Sequence, residues 1–96
     1  MKSLTKAEEQ VMQILWKKEG AVARDVLNDM PEPKPAYNTV STIVRILEEK
    51  GFVGHKAYGK TYFYYPLVAK KEYSRNFFRH FFRNYFNGSP KRLMSF

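Results

Sequence analysis

One segment constrains this chain more than any other. Residues 37–50, YNTVSTIVRILEEK, have the apolar spacing of a helix with one buried side. At about 100° per residue, one side of that helix collects four apolar residues: Val40, Ile43, Val44 and Leu47. The other side holds short polar residues and one arginine: Asn38, Ser41, Thr42 and Arg45. Short hydrogen-bonding groups with an arginine suit the major groove of DNA, whereas a helix that only faces water usually carries longer charged side chains. The pattern predicts a DNA recognition helix.

The sequence changes character directly after this helix, at Gly51. Residues 52–56 and 61–65 are rich in aromatic and β-branched residues, which favour strands. Residues 57–60, Ala-Tyr-Gly-Lys, can turn the chain between them. The two runs therefore predict a β-hairpin that ends at Pro66.

Two helices are predicted before the recognition helix, of which the second is shorter. Thr5 and Glu8 have the spacing of a capping box, so the first helix begins there and runs to about Lys18. Its inward stripe is predicted from four residues: Ala7, Val11, Ile14 and Leu15. A second helix fits residues 23–29, and three prolines after it prevent any continuation. A last helix fits residues 69–86.

Three helices followed by a hairpin is the order of a winged helix-turn-helix, in which the third helix enters the major groove and the hairpin, called the wing, contacts the flanking backbone. We therefore predict a mainly α fold with a small β-hairpin. Polar and basic residues surround the wing tip: His55, Lys56, Tyr58 and Lys60. Such residues suit phosphate contacts, which fix the register of a protein on DNA without reading its sequence. We assign Tyr37, at the start of the recognition helix, to the same backbone contacts.

The positive charge is concentrated in the second half of the chain. The net charge is +8, of which residues 1–49 contribute −1 and residues 50–96 contribute +9. This field favours polyanions as partners. The chain has no cysteine and no apolar run long enough to span a bilayer, so a cytoplasmic protein without stable membrane association is predicted. Without catalytic motifs, and with His55 and His80 far apart, we predict no enzyme, no metal site and no cofactor.

The chain resembles the penicillinase and methicillin-resistance repressors (BlaI/MecI type). The resemblance covers nearly all of the sequence and rests on the order of several short motifs rather than on any one of them. These motifs are Leu4-Thr5-x-Ala7-Glu8, Val11-Met12, Trp16, Asn38-Thr39-Val40-x-Thr42, Leu47-x-x-Lys50-Gly51-Phe52-Val53, His55-Lys56 and Tyr62-x-Tyr64-Tyr65-x-Leu67-Val68.

The resemblance implies a transcriptional repressor that binds a palindromic operator in double-stranded DNA as a homodimer, in a family associated with β-lactam resistance genes. It implies a winged-helix domain over residues 1–68 and a helical dimerisation segment over residues 69–96, shorter than in the family. Thr39, Ser41, Thr42 and Arg45 would then face the operator. The family commonly has its arginine one position later, where this chain has Ile46, so Arg45 reads a different base or contacts only a phosphate.

Family members are released from DNA when a membrane sensor protease triggers cleavage at an Asn-Phe bond. The matching place in this chain is Ser95-Phe96, so the typical asparagine is absent here. The resemblance thus implies a sensor protease as a partner and Ser95-Phe96 as the candidate cleavage position.

The last predicted helix indicates dimerisation without reference to any family. Seven of the fourteen residues from 73 to 86 are aromatic: Tyr73, Phe77, Phe78, Phe81, Phe82, Tyr85 and Phe86. On a helix they cover an arc of about 220°, more than the roughly 100° needed to pack on one core. Exposed aromatic area of this extent usually marks an interface.

Two other functions remain open at the level of sequence. Residues 69–86 also have the composition of a basic, aromatic amphipathic helix that binds a membrane surface or a protein partner. Binding to liposomes without any binding to DNA would favour that function. A winged helix that binds RNA is the second alternative, and structured RNA would then compete at least as well as duplex DNA.

Overall fold

The computed structural model describes residues 2–75, in which three helices and a small sheet precede a further helical stretch over residues 70–75. In chain order the elements are α1 (Lys6–Lys18), β1 (Ala21–Val22), α2 (Ala23–Asp29), α3 (Tyr37–Glu49), β2 (Val53–Tyr58) and β3 (Thr61–Pro66). The predicted order of three helices and a hairpin is confirmed. The prediction contained no counterpart of β1.

The capping box predicted for α1 is present. The Glu8 amide donates to Thr5 Oγ1 at 3.2 Å, and the Thr5 amide donates to Glu8 Oε1 at 3.0 Å. The helix ends at Glu19, which adopts a left-handed conformation with φ of 60°. These bonds satisfy backbone groups that have no partner inside the helix.

The buried side of α1 differs from the predicted stripe. Ala7 is exposed, and the buried residues are Glu8, Val11, Met12 and Leu15. Placing Ala7 inward was therefore wrong, because Glu8 replaces it on the inner side. Its carboxylate can be buried because Lys50 Nζ, at the end of α3, lies 2.6 Å from Glu8 Oε1.

One apolar core joins the helices to the base of the sheet. The predicted inward residues of α3 are buried, apart from the half-buried Ile43. Side chains of every helix and of the segment that leads into β2 contribute, and the largest fully buried ones are Phe52, Met12, Leu15, Leu47, Val11, Val26, Val40, Val44 and Val53. The core lies on one side of α3, so the opposite side of that helix remains open to a partner.

The wing is the β2–β3 hairpin, which has a tighter turn than predicted. The strands pair from Val53 with Pro66 to Tyr58 with Thr61, so Gly59 and Lys60 alone form the turn. Gly59 has φ of 65°, a conformation that glycine adopts without strain. The predicted turn of residues 57–60 was two residues too long.

The unpredicted strand β1 extends the hairpin to a three-stranded antiparallel sheet with the order β1-β3-β2. Ala21 pairs with Tyr64 and Val22 with Phe63. Because β1 leads directly into α2, this pairing fixes the wing relative to the helical part of the molecule. Gly20 precedes β1 with φ of 119°, and a Cβ added there would lie 2.6 Å from Phe63 Cζ.

The chain returns to the core after the wing. The Trp16 indole Nε1 donates to the Val68 carbonyl at 2.8 Å, and residues 70–75 are helical. Tyr73 is buried between Trp16 and Phe52, with ring centroids 5.7 and 5.8 Å away. The chain after the wing therefore packs on the winged-helix core as far as Tyr73.

Several predicted features lie outside the described residues. They are the remainder of the last helix with Phe77, Phe78, Phe81, Phe82, Tyr85 and Phe86, together with His80, Ser95 and Phe96. Between residues 2 and 75, no helix is both long and apolar enough to cross a membrane. Over the same range, no three metal-binding side chains lie close enough to hold an ion.

Candidate nucleic-acid interface

The exposed side of α3 presents two rows of side chains. One row, Tyr37, Ser41 and Arg45, has a spacing of four residues and borders a cleft beside the wing. We call these residues the inner row. Asn38, Thr39 and Thr42 are exposed, lie outside the cleft lining and form the outer face. All five residues assigned to the recognition helix therefore lie on its open side, with only Ser41 half-buried.

Two residues of the inner row, Ser41 and Arg45, contact each other. Arg45 Nη2 donates to Ser41 Oγ at 3.2 Å, one helical turn away. Arg45 is exposed, so this bond leaves the rest of its guanidinium open to solvent. The arginine is thus directed along the inner row, toward the cleft, and not along the outer face.

The cleft lies between α3, the start of α2 and the wing, and has a volume of about 560 Å³. Within the described part of the chain, three cationic side chains line it, one from each element: Arg24, Arg45 and Lys60. Three tyrosines line it as well: Tyr37, Tyr62 and Tyr64. None of the described residues that line it is acidic, so the cleft suits an anion.

The wing separates its predicted contact residues onto two faces. In the antiparallel pairing His55 lies opposite Tyr64, whereas Lys56 lies opposite Phe63. Because neighbouring residues of a strand point to opposite faces, His55 shares the cleft-side face with Tyr62 and Tyr64, and Lys56 and Tyr58 lie on the other. Lys56 and Tyr58 are exposed there, Tyr58 to 64%.

His55 connects the wing to α3. Its Nδ1 lies 2.6 Å from Glu48 Oε2, and its ring stacks on Tyr62 with centroids 4.5 Å apart. These contacts use the ring in an intramolecular role, and about a third of the side chain remains exposed. The structure thus places His55 where it sets the position of the wing, in addition to any contact with a partner.

Tyr64 lies beside His55 and Tyr62 on the cleft-side face of the wing and is buried. Burial raises the pKa of its hydroxyl, and the nearby Glu48 carboxylate raises it further, against a smaller opposing effect of Arg45. The hydroxyl therefore stays protonated at physiological pH and can donate a hydrogen bond.

The cleft includes Arg24, which was not predicted as a site residue. Its guanidinium carbon lies 5.0 Å from the centroid of the Tyr37 ring, within the range of a cation–π contact. In the sequence Arg24 is a single arginine in a short helix, with no motif around it. Only the packing of α2 beside α3 shows that it faces the same space as Arg45.

Comparison with known proteins gives the relationship of this chain to others. Residues 4–96 match the family model described as Penicillinase repressor. The chain belongs to the penicillinase repressor family. The resemblance inferred from the sequence motifs is thereby confirmed, and the match extends across almost the whole chain.

Members of the penicillinase repressor family with similar sequences include the methicillin resistance regulatory protein MecI. MecI of Staphylococcus aureus strain N315 is 30% identical over 89 residues, which cover 88% of this chain and 72% of that protein. MecI of Mammaliicoccus sciuri is 29% identical over 89 residues, which again cover 88% of this chain and 72% of that protein.

Two solved structures show the same fold. The solution structure of the DNA binding domain of the repressor BlaI has a TM-score of 0.64 and 25% identity, covering 76% of this chain and 94% of that one. The CopR repressor structure has a TM-score of 0.58 and 25% identity, covering 70% of this chain and 99% of that one. The winged-helix prediction is confirmed for the described part of the chain.

Proposed function

We propose that this protein is a transcriptional repressor that binds a specific sequence in double-stranded DNA. The observation that carries the proposal is the open side of α3, where short polar residues and one arginine lie beside a cationic cleft and a basic wing. The family and the likeness to the DNA binding domain of the repressor BlaI support it. In this proposal α3 enters the major groove and the wing contacts the adjacent backbone.

Base reading falls to the outer face of α3 in this proposal. The Asn38 side chain can form two hydrogen bonds with the edge of an adenine base. The hydroxyls of Thr39 and Thr42 can donate hydrogen bonds to a base or accept them. Lys56, Tyr58 and Lys60 contact phosphates from the wing, which positions the protein without selecting a sequence.

The operator is a palindrome and the protein binds it as a homodimer, so that two recognition helices lie on one side of the duplex. The aromatic pattern of residues 77–86 supports this assignment. Tyr73 was assigned to the interface as well, but its side chain is only 7% exposed within its own chain. The interface therefore rests on the six aromatic residues that follow it.

Repression occurs by steric exclusion of the polymerase from a promoter. The names of the MecI relatives support control of β-lactam resistance genes. By analogy with the family, a membrane sensor protease is the candidate inducer and Ser95-Phe96 the candidate cleavage position. The protein acts as a binding protein without a cofactor, in the cytoplasm.

Selection of bound duplexes from a random DNA pool tests the proposal. The expected result is an enriched palindrome whose half-site spacing matches about one helical turn of DNA or a multiple of it. The selected duplex should compete for the protein better than structured RNA does. Without DNA present, the protein should not sediment with liposomes. An unenriched pool would reject sequence-specific binding, and preferential binding to RNA or to vesicles would favour the corresponding alternative.

A further inference from the structure

The cleft between α2, α3 and the wing has features of a binding site for one chemical group. It brings together three cations that are far apart in sequence, Arg24, Arg45 and Lys60, in a space of about 560 Å³. Among residues 2–75, no acidic side chain lines this space, so the three positive charges reinforce one another. Like charges repel, and such an arrangement is stabilised when an anion lies among them.

Both arginines of the cleft are held in place within the molecule. Arg24 lies over the Tyr37 ring at 5.0 Å, and Arg45 donates to Ser41 at 3.2 Å. Neither of them forms an ion pair with a carboxylate of residues 2–75. A guanidinium that is oriented by a ring or a hydroxyl loses less freedom when it binds, and its remaining N–H groups are directed to a ligand.

The chemistry of the lining selects a phosphate ester over other anions. Arginine binds phosphate oxygens through two parallel hydrogen bonds, and lysine adds a positive charge. The hydroxyls of the cleft tyrosines can donate to the remaining oxygens. A carboxylate holds its two oxygens in one plane, whereas the two charged oxygens and two ester oxygens of a phosphodiester are arranged tetrahedrally, so they can be contacted from more than one wall of the cleft.

We propose that this cleft binds a phosphate ester, and that in the DNA complex the ester is a phosphodiester of the DNA backbone. Three residues contact it: Arg24 from α2, Arg45 from α3 and Lys60 from the wing. The identification of the occupant rests on the proposed function. Arg24 is then a third source of backbone contact, beside α3 and the wing, and Tyr37 is the residue that positions it. Arg45 contacts the backbone and leaves base choice to the outer face.

The first test measures how binding of the full chain to a short mixed-sequence duplex depends on salt. Each phosphate contact contributes about 0.9 to the slope of log affinity against log salt. Arg24→Gln should therefore make the slope about 0.9 less steep and weaken binding to every duplex alike. Lys17→Gln is the matched control, because Lys17 is exposed on α1, outside the cleft lining, and loses the same charge. Its slope should equal that of the unmodified protein.

The role of Tyr37 is tested by two further variants. Tyr37→Leu removes the ring beneath Arg24 and should weaken binding, whereas Tyr37→Phe keeps the ring and should restore most of it. Equal loss in both variants would contradict the positioning role. Arg24 and Tyr37 are exposed, so thermal unfolding should show that all these variants remain folded.

The second test titrates inorganic pyrophosphate alone while the side-chain N–H signals of arginine are followed by NMR. We expect the Arg24 and Arg45 signals to move together. If the duplex binds but the Arg24→Gln and Lys17→Gln slopes agree, the cleft proposal is wrong and the repressor function stands. If the duplex fails to bind while pyrophosphate moves both signals, the cleft holds a free phosphate group and the proposed function is wrong. Failure of both ligands overturns both.

Discussion

Glu8 is a single residue that joins the start of α1 to the end of α3. It completes the cap of α1, and its carboxylate accepts from Lys50 Nζ at 2.6 Å while Lys50 also reaches the Ser3 carbonyl at 3.3 Å. Burial acts to raise the pKa of Glu8, but the hydrogen bonds from Lys50 and Thr5 and the lysine charge outweigh it and lower the pKa below 4.5. The ionised form is therefore the one that stabilises the fold.

Glu8→Gln should lower the free energy of unfolding near neutral pH by about 1.5–3 kcal/mol, the usual contribution of a hydrogen bond to a charged group. Because the pKa of Glu8 is lower in the folded protein than in the unfolded chain, its contribution is complete at pH above 4.5 and is lost as the pH falls through the folded value. Urea unfolding at neutral and acid pH measures both effects.

The control for this prediction is Glu49→Gln, an exposed carboxylate in the last turn of α3. Its unfolding free energy should change little at either pH. A Glu8→Gln variant whose deficit persists unchanged in strong acid would contradict the assigned role of the carboxylate charge.

Gly20 is required by two independent features of its surroundings. Its φ of 119° is unfavourable for any residue with a Cβ, and that Cβ would lie 2.6 Å from the Phe63 ring. Gly20→Ala should therefore destabilise the protein by about 2 kcal/mol or more. Gly51→Ala separates the two causes, because Gly51 also has a positive φ but open space around it, so it should cost only about 1 kcal/mol. Equal losses in thermal unfolding would show that the contact with Phe63 has no effect.

At the scale of elements, the helices could be predicted and the smallest strand could not. The capping box of α1 and the apolar period of α3 are local signals, and both helices have the predicted bounds within a residue. β1 has only two residues, and its partners Tyr64 and Phe63 follow 43 and 41 positions later, so no local pattern marks it. Its existence depends on tertiary pairing.

The candidate site was partly predictable for the same reason. The polar side of α3 and the basic wing tip are contiguous in sequence, and the structure brings Arg45 and Lys60 to one cleft. Arg24 and Glu48 could not be assigned, because each acts through a residue from another element: Tyr37 for Arg24 and His55 for Glu48. Their roles follow from packing and have no sequence signature.

The two sides of α3 should differ in what they contribute to binding. Asn38→Ala on the outer face should cost about 1–3 kcal/mol on the selected operator and little on random DNA. Arg45→Ala on the inner row should weaken binding to both DNAs by a similar factor. Fluorescence anisotropy with the two duplexes measures the difference. If Arg45→Ala lowers affinity for the operator alone, Arg45 reads a base.

At the scale of the whole molecule, Tyr73 determines how the segment after the wing leaves the winged helix. It packs on Trp16 and Phe52, and its hydroxyl donates to Glu9 Oε2 at 3.4 Å. Burial raises the pKa of this hydroxyl, as does the Glu9 carboxylate. In the proposed dimer, this contact would fix the direction of the dimerisation segment and hence the spacing of the two recognition helices.

Tyr73→Leu should lower the unfolding free energy by about 1–3 kcal/mol, because it leaves a poorly filled site in the core. It should also reduce affinity for a full palindrome more than affinity for a single half-site. Tyr73→Phe keeps the ring, removes the long hydrogen bond to Glu9 and should change both affinities little. A Tyr73→Leu variant that is destabilised but keeps the same ratio of palindrome to half-site affinity would show that Tyr73 has no part in orienting the dimer.

Trp16 is the sole tryptophan of the chain, and its indole N–H is bonded to the Val68 carbonyl beside the Tyr73 ring. The tryptophan fluorescence of the protein therefore comes from the place where the segment after the wing contacts α1, which we call the joint. Undocking of the segment after the wing would expose the indole to water and shift its emission to longer wavelength. The molecule thus carries a built-in optical reporter, with which rearrangement of the joint during operator binding can be followed without attaching a dye.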